Sequence, residues 1–260
     1  MWLAECRQES YNKSEHRRHL QTKLNKRSDR SIDSKHQNIS AVLIRAGHTY
    51  IKGYKPLWHF QLLLEEVVLD RLKGLAQIIE EAEDVLIHHI PESPKLLRLE
   101  SIFVPPPERD SGRKVHDKRE FKPRLVDFAG REARNKRLGT CGEQFVLEVE
   151  RNRLTTLGRE DLAADVEWTS AEKGDGAGYD IRSFSGKTDE PLFIEVKTTS
   201  SGKYQPFLIS ANEVAFSDKH AEQYSLYRVF DFVKQPAVFR LDGHVSKHVD
   251  LAPTLFRASY

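Results

Sequence analysis

The apolar positions of the chain change rhythm about halfway along it. Between Phe60 and His89, the residues Leu63, Val67, Leu72, Leu75, Ile79, Ala82 and Leu86 recur near helical spacing. Gly74 falls inside this stretch and predicts a break into two helices. Upstream, Ile32, Ile39, Val42, Leu43 and Ala46 predict a further helix, capped by Ser31 or Asp33 and stopped by Gly47. Residues 50–56 read as a turn or short extended piece, and residues 1–30 as a polar, basic lead-in that is helical or loosely ordered.

From Gly142 the pattern differs. A helix is predicted from there to about Leu157, with Gly158 ending it. Short alternating or apolar runs follow at 165–168, 179–184, 192–197, 207–209, 224–233 and 237–241, each bounded by turn chemistry such as Gly174-Asp175-Gly176 or Asp242-Gly243. Ser210 and Glu213 stand at capping-box spacing and predict a helix to about Lys219. Helix, three strands, a short fourth strand, helix and two strands make an α/β sandwich around a mixed sheet. The whole chain is therefore expected to be α+β. It divides into a basic helical domain (1–90), a Pro-rich basic linker (91–125) and the α/β domain (126–260). The linker follows from Pro91, Pro94, Pro105, Pro106 and Pro107, and from a run at 109–137 with 11 Lys/Arg against 5 Asp/Glu.

Composition narrows the function classes. With 38% hydrophobic and 31% charged residues, the chain has a lean core and a charge-rich surface. No apolar run approaches the roughly 20 residues of a membrane span, and the first six residues lack a signal-peptide layout. Two cysteines, Cys6 and Cys141, exclude a disulfide framework and a CxxC zinc site. A cytoplasmic protein with no membrane partner is expected. The net charge of +2 hides a split, with 27 Lys/Arg against 20 Asp/Glu in residues 1–140 and 14 against 19 in residues 141–260. The basic half suits a polyanion and the acidic half a divalent cation, although lysines also simply solvate helices.

The sharpest chemistry lies at Asp180 and Glu195-Val196-Lys197. Alternation in a strand points Glu195 and Lys197 to one face and Val196 to the other. A hairpin through residues 185–190 would bring Asp180 within reach of Glu195. Two carboxylates suit Mg²⁺, or Mn²⁺, as cofactor, which borrows phosphate oxygens and acidifies water. Lys197 is then placed to orient the water, and Glu143 on the preceding helix is an accessory acid. The ordinary alternatives are an exposed cross-strand ion pair for the trio and, for Glu143, an acid complementing the dipole at a helix's first turn.

Gly178-Tyr179-Asp180-Ile181 and Phe193-Ile194-Glu195-Val196-Lys197-Thr198-Thr199 resemble the D…ExK core of the PD-(D/E)XK restriction-endonuclease-like superfamily. Gly142-Glu143 matches the acid often carried on the first helix of that fold. More narrowly, residues from about Gly139 to Leu241 resemble the protein NO VEIN C-terminal domain family, through Pro206-Phe207-Leu208-Ile209-Ser210-Ala211-Asn212-Glu213 and Tyr224-Ser225-Leu226-Tyr227-Arg228-Val229. The resemblance implies a restriction-endonuclease-like α/β domain with a central mixed sheet flanked by helices. It also implies metal-dependent cleavage of phosphodiester bonds, with DNA expected over RNA, in restriction or anti-phage defence.

On that reading Asp180, Glu195 and the Val196 carbonyl hold the metal, and Asp180, Glu195, Lys197 and Glu143 carry the reaction. Lys35, His36, Lys55 and Arg228 are the candidate contacts to nucleic acid. The ordinary alternative for Lys35 and His36 is a solvated helix face, and for Tyr224 and Tyr227, which flank Arg228, ordinary strand packing. A homodimer or a defence-system partner protein is the expected assembly. The competing expectation is a non-catalytic nucleic-acid-binding or assembly module that keeps the fold as a platform.

Overall fold

The computed structural model describes residues 1–25, 27–89, 99–108 and 128–253. The chain divides into two compact units, and neither is a continuous stretch. The first gathers Met1–Glu92, Thr199–Phe207 and Phe230–Pro236, and the second Ser93–Thr198, Leu208–Val229 and Ala237–Tyr260. This differs from the expected division, since two segments of the 126–260 domain group with the N-terminal residues. Most of the expected linker, with the boundary near 125, lies outside the described residues. Its described part, 99–108, is not a spacer: it carries a helical turn, and Phe103 bridges Val238 in parallel.

The first unit holds α1 (Trp2–Cys6), α2 (Lys13–Gln21), α3 (Asp29–Arg45), α4 (Leu62–Lys73) and α5 (Ala76–His89). Asn12 caps α2, accepting from the amides of Ser14 and Glu15. Helix α3 starts earlier than its apolar pattern suggests, because Ser28, rather than Ser31 or Asp33, provides the cap by accepting from the Ser31 amide. The break between α4 and α5 falls at Gly74, as that glycine predicts. The core of this unit is Leu43, Ile51, Tyr54, Leu72 and Ile79, with Met1, Trp2 and Tyr11 packed against it. The polar lead-in is thus anchored, and Trp2 Nε1 donates to Thr49 O at 2.9 Å.

The second unit holds α6 (Leu99–Ile102), α7 (Phe128–Thr156), α8 (Glu160–Ala164), α9 (Thr169–Lys173), α10 (Ala211–Lys219) and α11 (Val245–His248). They flank one mixed sheet of β1 (Glu167–Trp168), β2 (Ile181–Phe184), β3 (Pro191–Thr198), β4 (Tyr224–Phe230) and β5 (Ala237–Asp242), in the order β1-β2-β3-β4-β5. Antiparallel pairing joins β1 to β2 and β2 to β3. Strands β3 and β4 run parallel, with α10 in the crossover that parallel strands require.

Strand β4 is buried along its whole length, as suits a strand between two neighbours. Two expectations fail here. Helix α7 begins well before Gly142, and Phe207-Leu208-Ile209 is not a strand: Leu208 is 75% exposed in irregular chain before α10. A run of three apolar residues is too short to distinguish strand from loop.

Candidate active site

The approach to Asp180 depends on a glycine. Gly178 has φ +86°, and a Cβ on it would lie 2.8 Å from Phe216 Cβ of α10, so a side chain is excluded on both counts. Strand pairing between β2 and β3 ends at Ile181↔Ile194. Beyond it the Asp180 N–H donates to Ile194 O (2.9 Å), and Asp180 Oδ2 accepts the Val196 N–H (2.7 Å). A carboxylate thus replaces the next backbone partner of β3. Alternation buries Ile194 and Val196 on one face of β3 and turns Glu195 and Lys197 to the other. Glu195 is only 2% exposed. Lys197 Nζ lies 2.6 Å from Glu195 Oε1 and 3.0 Å from Glu213 Oε2.

Glu143 joins the group through α9. Its Oε2 accepts Trp168 Nε1–H (2.8 Å) and Ser170 Oγ–H (2.5 Å), while the Ser170 amide donates to Asp180 O (3.1 Å). Because α7 starts at Phe128, Glu143 sits in the helix interior. The first-turn dipole explanation for an acid at this position therefore does not apply.

These side chains shape one another's charge. Burial, then the Glu143 carboxylate, pushes Asp180 up to about 7, against the opposing hydrogen bond from Val196. Glu195 is raised well above the usual range by burial and then by Asp180, with Lys197 pulling the other way. For Lys197 burial opposes the charge, but Glu195 and Glu213 outweigh it and raise the pKa. The trio is thus not an exposed ion pair. Beside it, the buried Tyr224 Oη has no hydrogen-bond partner among the described residues, and its pKa is raised by burial and then by the charges of Glu195, Glu213 and Asp180.

The expected nucleic-acid contacts fare unequally. Lys35 and Lys55 are exposed in the first unit, Lys55 lying 5.7 Å from the Tyr204 ring centroid. His36 is corrected: it is 8% exposed, its Nδ1 lies 3.0 Å from Ile32 O, and its ring stacks on Tyr54 at 4.9 Å. Neighbouring helix positions point about 100° apart, so only one of the Lys35-His36 pair reaches water. Arg228 is also corrected. At 2% exposure within β4, it has no solvent-facing surface to offer a phosphate.

Glu213 does more than cap a helix. The capping box it forms with Ser210 is present as predicted, but its carboxylate also reaches Lys197. The capping signal was visible; the contact with Lys197 depends on where α10 crosses β3, and no local pattern encodes that. Glu150 was missed altogether. It is fully buried and accepts from Arg153 Nε and Nη2 (3.0 and 2.7 Å), Ser183 Oγ (2.7 Å) and Tyr227 Oη (2.8 Å). Arg153 Nη2 also donates to Phe184 O at 2.6 Å. With its acceptors filled by donors of α7, β2 and β4, Glu150 is a structural tie between the helix and the sheet.

Fold and site together define an α+β unit whose mixed sheet carries a cluster of acids around one lysine, with Glu195 buried and Glu143, Asp180 and Glu213 half-buried. Residues 142–241 match the family model described as Protein NO VEIN, C-terminal, a span that includes Glu143, Asp180, Glu195, Lys197, Glu213 and Tyr224. No curated protein and no solved structure matches the chain. Among the described residues no helix is long and apolar enough to cross a membrane.

Proposed function

We propose that the second unit is a metal-dependent nuclease of the PD-(D/E)XK restriction-endonuclease-like kind, cleaving phosphodiester bonds of nucleic acid, DNA before RNA. The observation that carries this reading is the convergence of Asp180, Glu195 and Lys197 at the point where β2 stops pairing with β3.

The donor set fits a hard cation such as Mg²⁺ or Mn²⁺. Among the described residues no three Asp, Glu, His or Cys side chains form a ready-made coordination group. Magnesium does not need one, since it is usually held by one or two carboxylates and completed by water and phosphate oxygens. Crowded, partly desolvated acids gain from a cation, and Tyr224 Oη offers a further polar group without a partner among the described residues. Asp180, Glu195 and the Val196 carbonyl would hold the ion. The N–H and C=O of a strand residue leave on the same edge, and the Val196 N–H is the one that Asp180 accepts.

When bound, such an ion acidifies water and polarises a phosphoryl group. Lys197 directs its ammonium at the same spot, orienting the attacking water and offsetting charge on the phosphate oxygens. Glu143 fixes Ser170, and through the Ser170 amide the backbone at Asp180. Lys35 and Lys55 of the first unit supply phosphate contacts. The biological setting is restriction or defence against foreign DNA, as a homodimer or with a partner protein.

Incubation of plasmid, linear duplex, single-stranded DNA and RNA with Mg²⁺ or Mn²⁺ tests this. Cutting by the wild type that disappears in both Glu195→Ala and Lys197→Ala is the expected result. Cutting that survives both substitutions removes the assignment.

One observation favours the non-catalytic binding or assembly module: Lys197 already neutralises Glu195 inside the protein. A cation that raises the thermal midpoint of the wild type but not of Asp180→Ala speaks for the nuclease; no shift in either speaks for the module.

A further inference from the structure

Helix α10 enters the site through a single oxygen. Glu213 Oε2 accepts the Ser210 N–H at 2.9 Å, closing the capping box, and the same atom lies 3.0 Å from Lys197 Nζ. The other half of the box, Ser210 Oγ accepting the Glu213 N–H at 3.2 Å, leaves that oxygen untouched. Lys197 therefore sits between a carboxylate on its own strand and one on the crossover helix. These two contacts differ in kind. Glu195 shares a strand face with Lys197, and under the proposed function it also holds the cation. Glu213 belongs to a separate element, and its Oε2 is held by the Ser210 backbone N–H.

We propose that Glu213 is the positioning residue for Lys197, setting where the ammonium stands by way of the first turn of α10. Its part in the reaction rests on the nuclease reading; the anchoring itself does not. The cap and the anchor use different properties of the side chain, which makes them separable. A glutamine at N3 still accepts the N-cap amide through its side-chain oxygen, but it carries no charge for the ammonium. Ser210→Ala does the reverse, removing the Oγ acceptor while leaving the Ser210 amide and the Glu213 carboxylate in place.

The test compares wild type, Glu213→Gln and Ser210→Ala in three measurements: thermal midpoint, steady-state cleavage of duplex DNA with Mg²⁺, and the acylation rate of Lys197 by an amine-reactive acetyl ester, followed by peptide mass spectrometry. The expected result for Glu213→Gln is a near wild-type midpoint, several-fold faster acylation of Lys197, and a kcat lowered roughly ten- to a hundred-fold at little-changed KM. Ser210→Ala is expected to lower the midpoint and leave kcat and Lys197 acylation at wild-type values.

Unchanged acylation in Glu213→Gln overturns the anchor. Faster acylation with unchanged kcat keeps the anchor and overturns its role in the reaction. A wild type that cuts nothing removes the nuclease reading, and the acylation rates then decide the anchor alone.

Discussion

Gly142 of α7 lies directly against Thr198 at the end of β3: a Cβ built on the glycine would stand 1.8 Å from Thr198 Oγ1 and 2.7 Å from Thr198 Cβ. A helix can pass this close to a strand only where one of them has no side chain. The contact sits one residue before Glu143 and one after Lys197, so it sets the distance between the two elements that supply the site.

Gly142→Ala is therefore expected to destabilise the protein by about 1–3 kcal/mol through overpacking, although alanine in a helix interior would otherwise add about 1 kcal/mol. Combining it with Thr198→Ala should recover part of the loss, because the shorter side chain makes room. Urea unfolding of the two single variants and the double variant measures this. A Gly142→Ala variant as stable as wild type would show that the helix and the strand do not depend on this close approach.

The acid cluster makes stability depend on pH with a definite sign. Asp180, raised to about 7, stays protonated in the folded chain while the unfolded chain ionises it near 4. The stability this contributes is fully present below about pH 4 and is lost as pH rises to about 7. Asp180→Asn should therefore gain on wild type across that window, reaching on the order of 1–3 kcal/mol by pH 8. Under the proposed function, Mg²⁺ should stabilise wild type more at pH 8 than at pH 5, and its removal by a chelator should reverse the gain. Unfolding midpoints at several pH values measure both effects. Parallel curves for wild type and Asp180→Asn would contradict the shift.

Glu150 has the opposite character, since all its hydrogen bonds are made within the protein. Glu150→Ala strands the Arg153 guanidinium in a partly buried position, and a loss of about 3–5 kcal/mol is expected. Tyr227→Phe removes one bond to the same carboxylate and should cost roughly 1–2 kcal/mol. Chemical denaturation provides the comparison, and losses below about 1 kcal/mol for Glu150→Ala would mean that the tie is not carrying the fold.

Nucleic-acid binding by the first unit would show in its salt dependence. Lys35→Ala and Lys55→Ala should each weaken duplex binding and reduce the slope of log K against log salt by about one. His36→Ala and Arg228→Ala replace buried side chains, so they should lower the thermal midpoint and leave the slope unchanged. Binding titrations over a range of salt decide. Slopes unaffected by either lysine would move the phosphate contacts elsewhere.

What could be read from the sequence follows from how local each signal is. Gly74 between two helices, the capping box at Ser210, and the face shared by Glu195 and Lys197 depend on neighbours a few residues apart, and all three are present. The early start of α7 was hidden because its first turns are charged and interrupted by Gly130, Gly139 and Gly142, of which Gly142 serves packing rather than helix propensity. Arg228 misled because a strand buried on both faces loses the alternation that marks which side chains see water. Glu150 and the second contact of Glu213 are long-range: their partners sit on other elements, and only the assembled sheet reveals them.

The discontinuity of the two units bears on the order in which the protein can be made. Tyr50 is buried in the first unit with Gly202 against its hydroxyl, Thr49 bonds Ser201, and Lys52 pairs with Asp231. All three partners lie far downstream of the helices they complete. At a synthesis rate of roughly 5–20 residues per second, the first ninety residues wait on the order of five to thirty seconds for them. Through that interval α1 to α5 are an unfinished body with Tyr50 uncovered. The chain therefore cannot fold strictly from its N-terminus, and its first unit closes only after strands β1 to β4 of its second have been made.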